Sequence, residues 1–206
     1  MPNINEYVKN TGFGSGNNTT TFDTKGQMQH HGEATQWDDI VGDAFGRKLN
    51  SSTGKLDYDW SENNLKFQSG GDITKSADRL VWNVQKMHKV KTDSELRYHI
   101  HFEKSDNTVR TFTLQYRIQG NGEEKTTSWT TLTTTTEPVN EVFPYSGGTL
   151  NQIVKFPPID WSDVILSSTV NFRLARTDSE SGDVHVSFVD GHVEVDSDGS
   201  NEEWVK

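Results

Sequence analysis

Over most of the chain beyond residue 36, apolar and polar residues alternate with a period of two. The clearest case is "NTVRTFTLQYRIQ", where Phe112, Leu114, Tyr116 and Ile118 alternate with Thr111, Thr113, Gln115 and Arg117. Successive side chains of a strand point to opposite faces, so this pattern predicts a strand with one buried and one wet face. "RLVWNVQKM" places Leu80, Trp82 and Val84 on one face, "LRYHIHFEK" does the same with Tyr98, Ile100 and Phe102, and "STVNFRLAR" with Val170, Phe172 and Leu174. "WDDIVGDAF", "LDYDW" and "NLKFQ" predict shorter strands, and the β-branched run "TSWTTLTTTT" a strand facing water on at least one side. "GDVHVSFVDGHVEVD" reads as two strands, Val184/Val186/Phe188 and Val193/Val195, separated by a turn at Asp190-Gly191. "GNGEE" is a turn, and the double proline of "NQIVKFPPIDWSDVIL" breaks a strand before a short helical turn after Asp160. No stretch of ten residues holds a helical period.

Roughly eight strands with polar connections predict an all-β fold: an antiparallel β-sandwich of jelly-roll type, with an immunoglobulin-like sandwich as the alternative. The six Trp residues fit broad packing between two sheets. Residues 1–35 differ. "TGFGSGNNTTTFDTKGQMQHHGEAT" is rich in Gly, Asn, Thr and Gln and has isolated apolar residues only. Such a segment buries too little to offset its own ordering entropy, so it orders only when it lies along something. The expected organisation is an extended N-terminal arm over 1–35, with Phe13, Phe22 and Met28 as anchors on a neighbouring subunit, followed by a sandwich domain over 36–206.

Composition narrows the function classes. Lys and Arg number 20 against 30 Asp and Glu, a net charge of -10, which argues against a nucleic-acid partner. No run approaches the ~18 apolar residues of a membrane span. "MPNINEYVKN" lacks the basic-then-apolar order of a secretory signal, so synthesis in a cytosol is expected. The chain has no cysteine, hence no disulfide framework and no thiolate chemistry.

Chemistry concentrates in "YHIHFEK". His99, His101 and Glu103 alternate with Tyr98, Ile100 and Phe102, so three potential metal ligands share one strand face. An H-x-H pair on a strand is also where cupin metal sites begin. A cupin Glu follows several residues further on and its ligands point into the barrel, whereas here Glu103 follows after two residues and the histidines face away from the apolar set. His185 and His192 could converge from other strands, but spacing alone does not bring them there. The expectation is therefore outer-face or interface histidines, no cofactor and no metal. No G-x-S-x-G elbow accompanies the Ser, His and Asp inventory. "GFGSG" lacks the strand–helix context of a phosphate loop, and "DSDGSNEE" at 196–203 lacks EF-hand spacing.

Four stretches carry a resemblance. "FVDGHVEVDSDGSNEEWVK" resembles the closing motif of a set of tailed-bacteriophage virion structural proteins; "TQWDDIVGDAFGRKL" is similar to their opening segment, "MHKVKTDSELRYHIHFEKSD" to their central H-x-H strand, and "FRLAR" to their penultimate strand. The likeness spans about residues 35 to 206; "KTDSEL" and the loop 119–127 depart from it. It implies a non-enzymatic jelly-roll subunit of the virion, made in the bacterial host cytoplasm. It leaves open a head–tail or tail ring, a capsid decoration and a head-fibre base. Its partners would be copies of itself in a symmetric ring or cluster and other virion proteins of the portal, tail or capsid. The alternative is a carbohydrate-binding or cupin-like metal-binding jelly-roll module.

Overall fold

A computed structural model describes residues 13–15, 18–22, 28–31, 36–41, 54–59, 61, 64–91, 93–104, 106, 108–120, 122–124, 126–135, 150–160, 162, 164–165 and 167–196. Among them are fourteen strands and no helix. The four-stranded sheet has the order β10 (Thr130–Thr135), β9 (Thr111–Gln119), β13 (Thr169–Arg176), β7 (Leu80–Gln85). The larger sheet runs β11 (Leu150–Lys155), β8 (Glu95–Lys104), β14 (Val184–Val195), β6 (Asn64–Phe67), β5 (Leu56–Asp59). Two further strands join it: β4 (Gln36–Val41) pairs with β14, and β12 (Ile159–Asp160) with β8. All pairings are antiparallel.

Counting β6 to β11, β13 and β14 as eight strands in chain order, the first, eighth, third and sixth lie side by side in the large sheet. The second, seventh, fourth and fifth form the small one. That interleaving is the double Greek key of a jelly roll.

The period-two pattern is realised as the sandwich core. Leu80, Trp82, Phe112, Leu114, Val170, Phe172 and Leu174 come from the small sheet and meet Phe67, Tyr98, Ile100, Phe102, Val186, Val189 and Val193 from the large one. Trp82 and Phe172 stack at 5.2 Å and 15°. The Tyr98 ring lies 4.6 Å from Phe172, and the Trp82 Nε1–H donates to Tyr98 Oη at 3.4 Å. Each such ring removes a large apolar area from water, and the tilted contacts add directionality.

Three local expectations are corrected. Asp190-Gly191 is no turn: β14 runs unbroken from Val184 to Val195. Gly191 belongs inside the strand because a Cβ there would stand 3.0 Å from the Tyr98 ring. A bulge between Val186 and Phe188 reverses the side-chain parity, so Phe188 faces out and Val189 faces in. After Asp160 there is no helical turn among the described residues. Its carboxylate accepts from the Ser162 N–H at 2.9 Å and the Ser162 hydroxyl at 2.7 Å, an Asx-type turn.

Of the leading segment, β1 (Phe13–Ser15), β2 (Asn18–Phe22) and β3 (Met28–His31) are three short extended strands that pair with one another. The His30 N–H donates to the Asp196 carbonyl at 2.5 Å, which ties β3 to the end of β14.

At one end of the sandwich, fully buried Arg176 gathers the loop that follows it. Its guanidinium donates to the carbonyls of Glu180 and Gly182 and to Asp178 Oδ1, the last at 2.7 Å. Burial alone would raise the Asp178 carboxyl; the hydrogen bonds from Arg176 and from the Thr111 N–H outweigh it and hold the group below its ordinary 3.8. The stability this contributes is present above 3.8 and is lost as the pH falls through the depressed folded value. Replacing Arg176 with Met removes one partner of a buried pair and is expected to cost about 3–5 kcal/mol in denaturant unfolding. Asp178→Asn is expected to flatten the acid limb of the stability curve. An unchanged acid limb would contradict the assignment.

Candidate functional site

With the even residues of β8 and, past the bulge, the odd residues of β14 turned inward, their other residues form ladders across the outer face of the large sheet. Directly opposed residues on neighbouring strands share a side. One rung runs Ile153 on β11, His101 on β8 and Phe188 on β14; the next runs Lys155, His99 and Asp190; the third pairs Arg97 with His192. Ile153 and Phe188 are 53% and 41% exposed, so two large apolar side chains flank His101 in water. Beside them lies a shallow groove of about 520 Å³ lined by Arg97, His99, Ile153, Lys155, Pro158 and His192.

The middle rung carries the densest chemistry. His99 Nε2 lies 2.9 Å from His101 Nε2 and 2.7 Å from Asp190 Oδ1, and the three ligand atoms fall within 4.8 Å of one another. His99 and Asp190 are both buried, each 8% exposed, although they sit on the outer face. The His99 ring stacks on His192 at 4.8 Å and 9°, and His192 Nδ1 lies 2.7 Å from Asp39 Oδ1. Phe188 meets the His101 ring edge-on at 6.1 Å. These contacts hold the rings in place. Burial lowers the His99 pKa from 6.5; the Asp190 charge opposes this, and His101, His192 and Lys155 add to it. The neutral imidazole is favoured.

The sequence expectation of outward-facing histidines matches what the strand shows, with Tyr98, Ile100 and Phe102 buried on the opposite side. Glu103 does not join the cluster; it lies one step further along, opposite Asn151 and His185. Asp190 takes the place that spacing offered to Glu103. Sequence reasoning missed it because it was assigned to a turn; its adjacency to His192 was the available signal. His185 is engaged elsewhere, with Nδ1 3.2 Å from Asn64 Oδ1.

Of the three proposed anchors, half-buried Met28 opens β3, while Phe13 and Phe22 fall in β1 and β2 with side chains outside the described residues. The calcium-like stretch 196–203 lies outside them too, apart from Asp196.

The expectation that tryptophans fill the inter-sheet space holds for Trp82 and fails for Trp129. The latter lies by the outer face of the small sheet under two guanidinium groups, Arg173 Cζ at 3.8 Å and Arg117 Cζ at 4.6 Å from its ring centre. Arg173 is further held by Gln115 Oε1 at 2.7 Å, and Arg117 by the Thr126 carbonyl at 3.1 Å. The ring is engaged in cation–π contacts within the chain.

No family model matches the chain, and no curated protein matches it. Among solved structures, latent PorU from Porphyromonas gingivalis aligns with a TM-score of 0.34 and 13% identity over 79% of this chain, which spans 13% of that protein's length. A non-crystalline cellulose specific carbohydrate-binding module, CBM28, aligns at 0.36 and 16% identity over 80% of this chain and 88% of its own. TmCBM61, solved with β-1,4-galactotriose, aligns at 0.26 and 11% identity over 78% and 88%. Scores this low assign the chain neither an activity nor a ligand.

In metal-free protein, NMR titration of the imidazoles should place the His99 midpoint below 6.5. Folding stability should accordingly fall as the pH drops from 6.5 toward that midpoint, because the unfolded chain takes up the proton first. A midpoint above 6.5 would contradict the burial described here.

Proposed function

We propose that this chain is a non-enzymatic structural subunit of a bacteriophage virion that works by contact, through copies of itself and other virion proteins. The observation that carries the assembly half is the rung Ile153–His101–Phe188, an apolar strip on a broad, regular sheet face. Such strips on soluble proteins mark contact surfaces. The occupant we infer is a second copy. Along β8 the outer face carries Glu95, Arg97, His99, His101 and Glu103, and Arg97 is already paired with Glu95 at 3.2 Å, so the apolar rung rather than net charge is what the face offers. Turning one copy about a two-fold axis in the sheet plane and across the strands sets the Ile153–His101–Phe188 rung of each against that of the other. One such self-complementary contact, combined with a second, builds closed symmetric clusters. The virion half rests on the sequence motifs at residues 35–49, 87–106, 172–176 and 188–206.

The glycan-module alternative has less support. It calls for an open aromatic platform; among the tryptophans with described side chains, Trp82 lies in the core and Trp129 is covered by Arg117 and Arg173.

Sizing with light scattering should show an oligomer of the wild-type chain at tens of micromolar. The double variant Ile153→Asp/Phe188→Asp should be monomeric with little change in melting temperature, since both residues face away from the core. A monomeric wild type absent from purified particles would overturn the proposal. Glycan binding that disappears in Trp129→Ala would favour the alternative.

A further inference from the structure

We propose that His99, His101 and Asp190 form a binding site for a first-row divalent transition metal of the zinc class, on the outer face of the large sheet. The site is a property of the single chain and does not depend on how copies assemble.

Three observations lead there. First, both imidazoles present Nε2 to the same point at a separation of 2.9 Å. One Nε2 carries either one proton or one lone pair, so His99 cannot satisfy both His101 and Asp190 from that atom. Second, Asp190 Oδ1 is buried and accepts no well-directed hydrogen bond, although His99 Nε2 is 2.7 Å away. A buried carboxylate oxygen in that condition is costly unless a cation or donor meets it. An ion among the three groups would satisfy all of them at once. Third, the rings are braced from behind: His99 by stacking on His192, which Asp39 holds in turn, and His101 by the edge of Phe188. Oriented imidazoles are what metal sites need from their surroundings.

The donor set selects the metal. Two imidazoles and one carboxylate suit zinc, iron, cobalt or nickel, whereas calcium and magnesium want mostly oxygen. Bonds of about 2.0–2.1 Å in a tetrahedral centre imply donor separations of roughly 3.3 Å. The observed 2.9 and 2.7 Å open to that value, and the wider pair closes to it, by small side-chain rotations. The His99–Asp190 rung is a cross-strand pair, so an ion there ties β8 to β14. With three protein ligands, a fourth position is left for water or a neighbouring group.

The site also explains why an H-x-H strand could fail the cupin pattern and still bind. The third ligand comes from the opposed strand, and the ion sits outside the sandwich instead of within it.

The test uses full-length protein without a histidine tag, stripped with chelator and titrated with Zn²⁺ by calorimetry and with Co²⁺ by visible spectroscopy. Expected are one ion per chain, Co²⁺ ligand-field bands, and a rise in melting temperature with Zn²⁺ but not with Mg²⁺. His101→Ala and Asp190→Asn, which remove direct ligands, should each weaken binding by at least the roughly 10–100-fold that loss of an outer-shell partner costs, and His185→Ala should leave it unchanged. Should Asp190→Asn fail to fold, half-exposed His101 supplies the decisive variant. Absence of saturable Zn²⁺ binding, or binding that His101→Ala leaves intact, would overturn the proposal.

Discussion

The aromatic contact between Trp82, Phe172 and Tyr98 is the constraint on which the rest of the molecule depends. It joins the centres of the two sheets, through β7 and β13 on one side and β8 on the other. Because Tyr98 and His99 are adjacent on a strand, fixing the Tyr98 ring inward fixes the His99 ring outward. The same ring presses on Gly191, which lies between Asp190 and His192 on β14. One inward side chain thus sets the backbone of both strands at the very residues that face the groove. A Cβ at 191 would stand 3.0 Å from the Tyr98 ring and 3.1 Å from Leu96 Cδ1, so these side chains would have to give by a few tenths of an ångström.

A two-sided division of labour follows. The inner faces supply the apolar burial. The outer face of the large sheet holds a strip of exposed apolar side chains and a buried His/Asp cluster. The outer face of the small sheet is closed upon itself by Arg117, Arg173 and Trp129. The asymmetry between the two plates is why the proposed contact is placed on the large one. Its regular ladder gives a rigid surface whose side chains need little reordering on association.

Much of this was legible as alternation. The strands at 80–85, 95–104, 111–119 and 169–176 follow directly from period-two apolar residues, and so does the outward direction of His99 and His101. The failures have physical causes. Asp-Gly is a strong turn signal on local grounds, but at 190–191 the demand of the Tyr98 ring for a residue without Cβ overrides it. The bulge near Ser187 inserts one residue and swaps the faces of Phe188 and Val189, which no parity count along a single strand can foresee. Asp190 as a partner of His99 is a cross-strand relation between residues 91 positions apart in the chain, and register of that kind is invisible without the sheet. The strand pairing of residues 13–31 was hidden because Gly, Asn and Thr alternate with no apolar contrast.

Native-state hydrogen exchange tests most directly whether the inter-sheet aromatic contact holds the outer face in place. Amides of Tyr98 to Phe102 and of Val189 to Val193 should exchange only through global unfolding, with opening free energies equal to the stability of the whole domain. Exchange of either strand through local opening, well below that stability, would mean that the histidine face is not anchored by the core beneath it and would contradict the account.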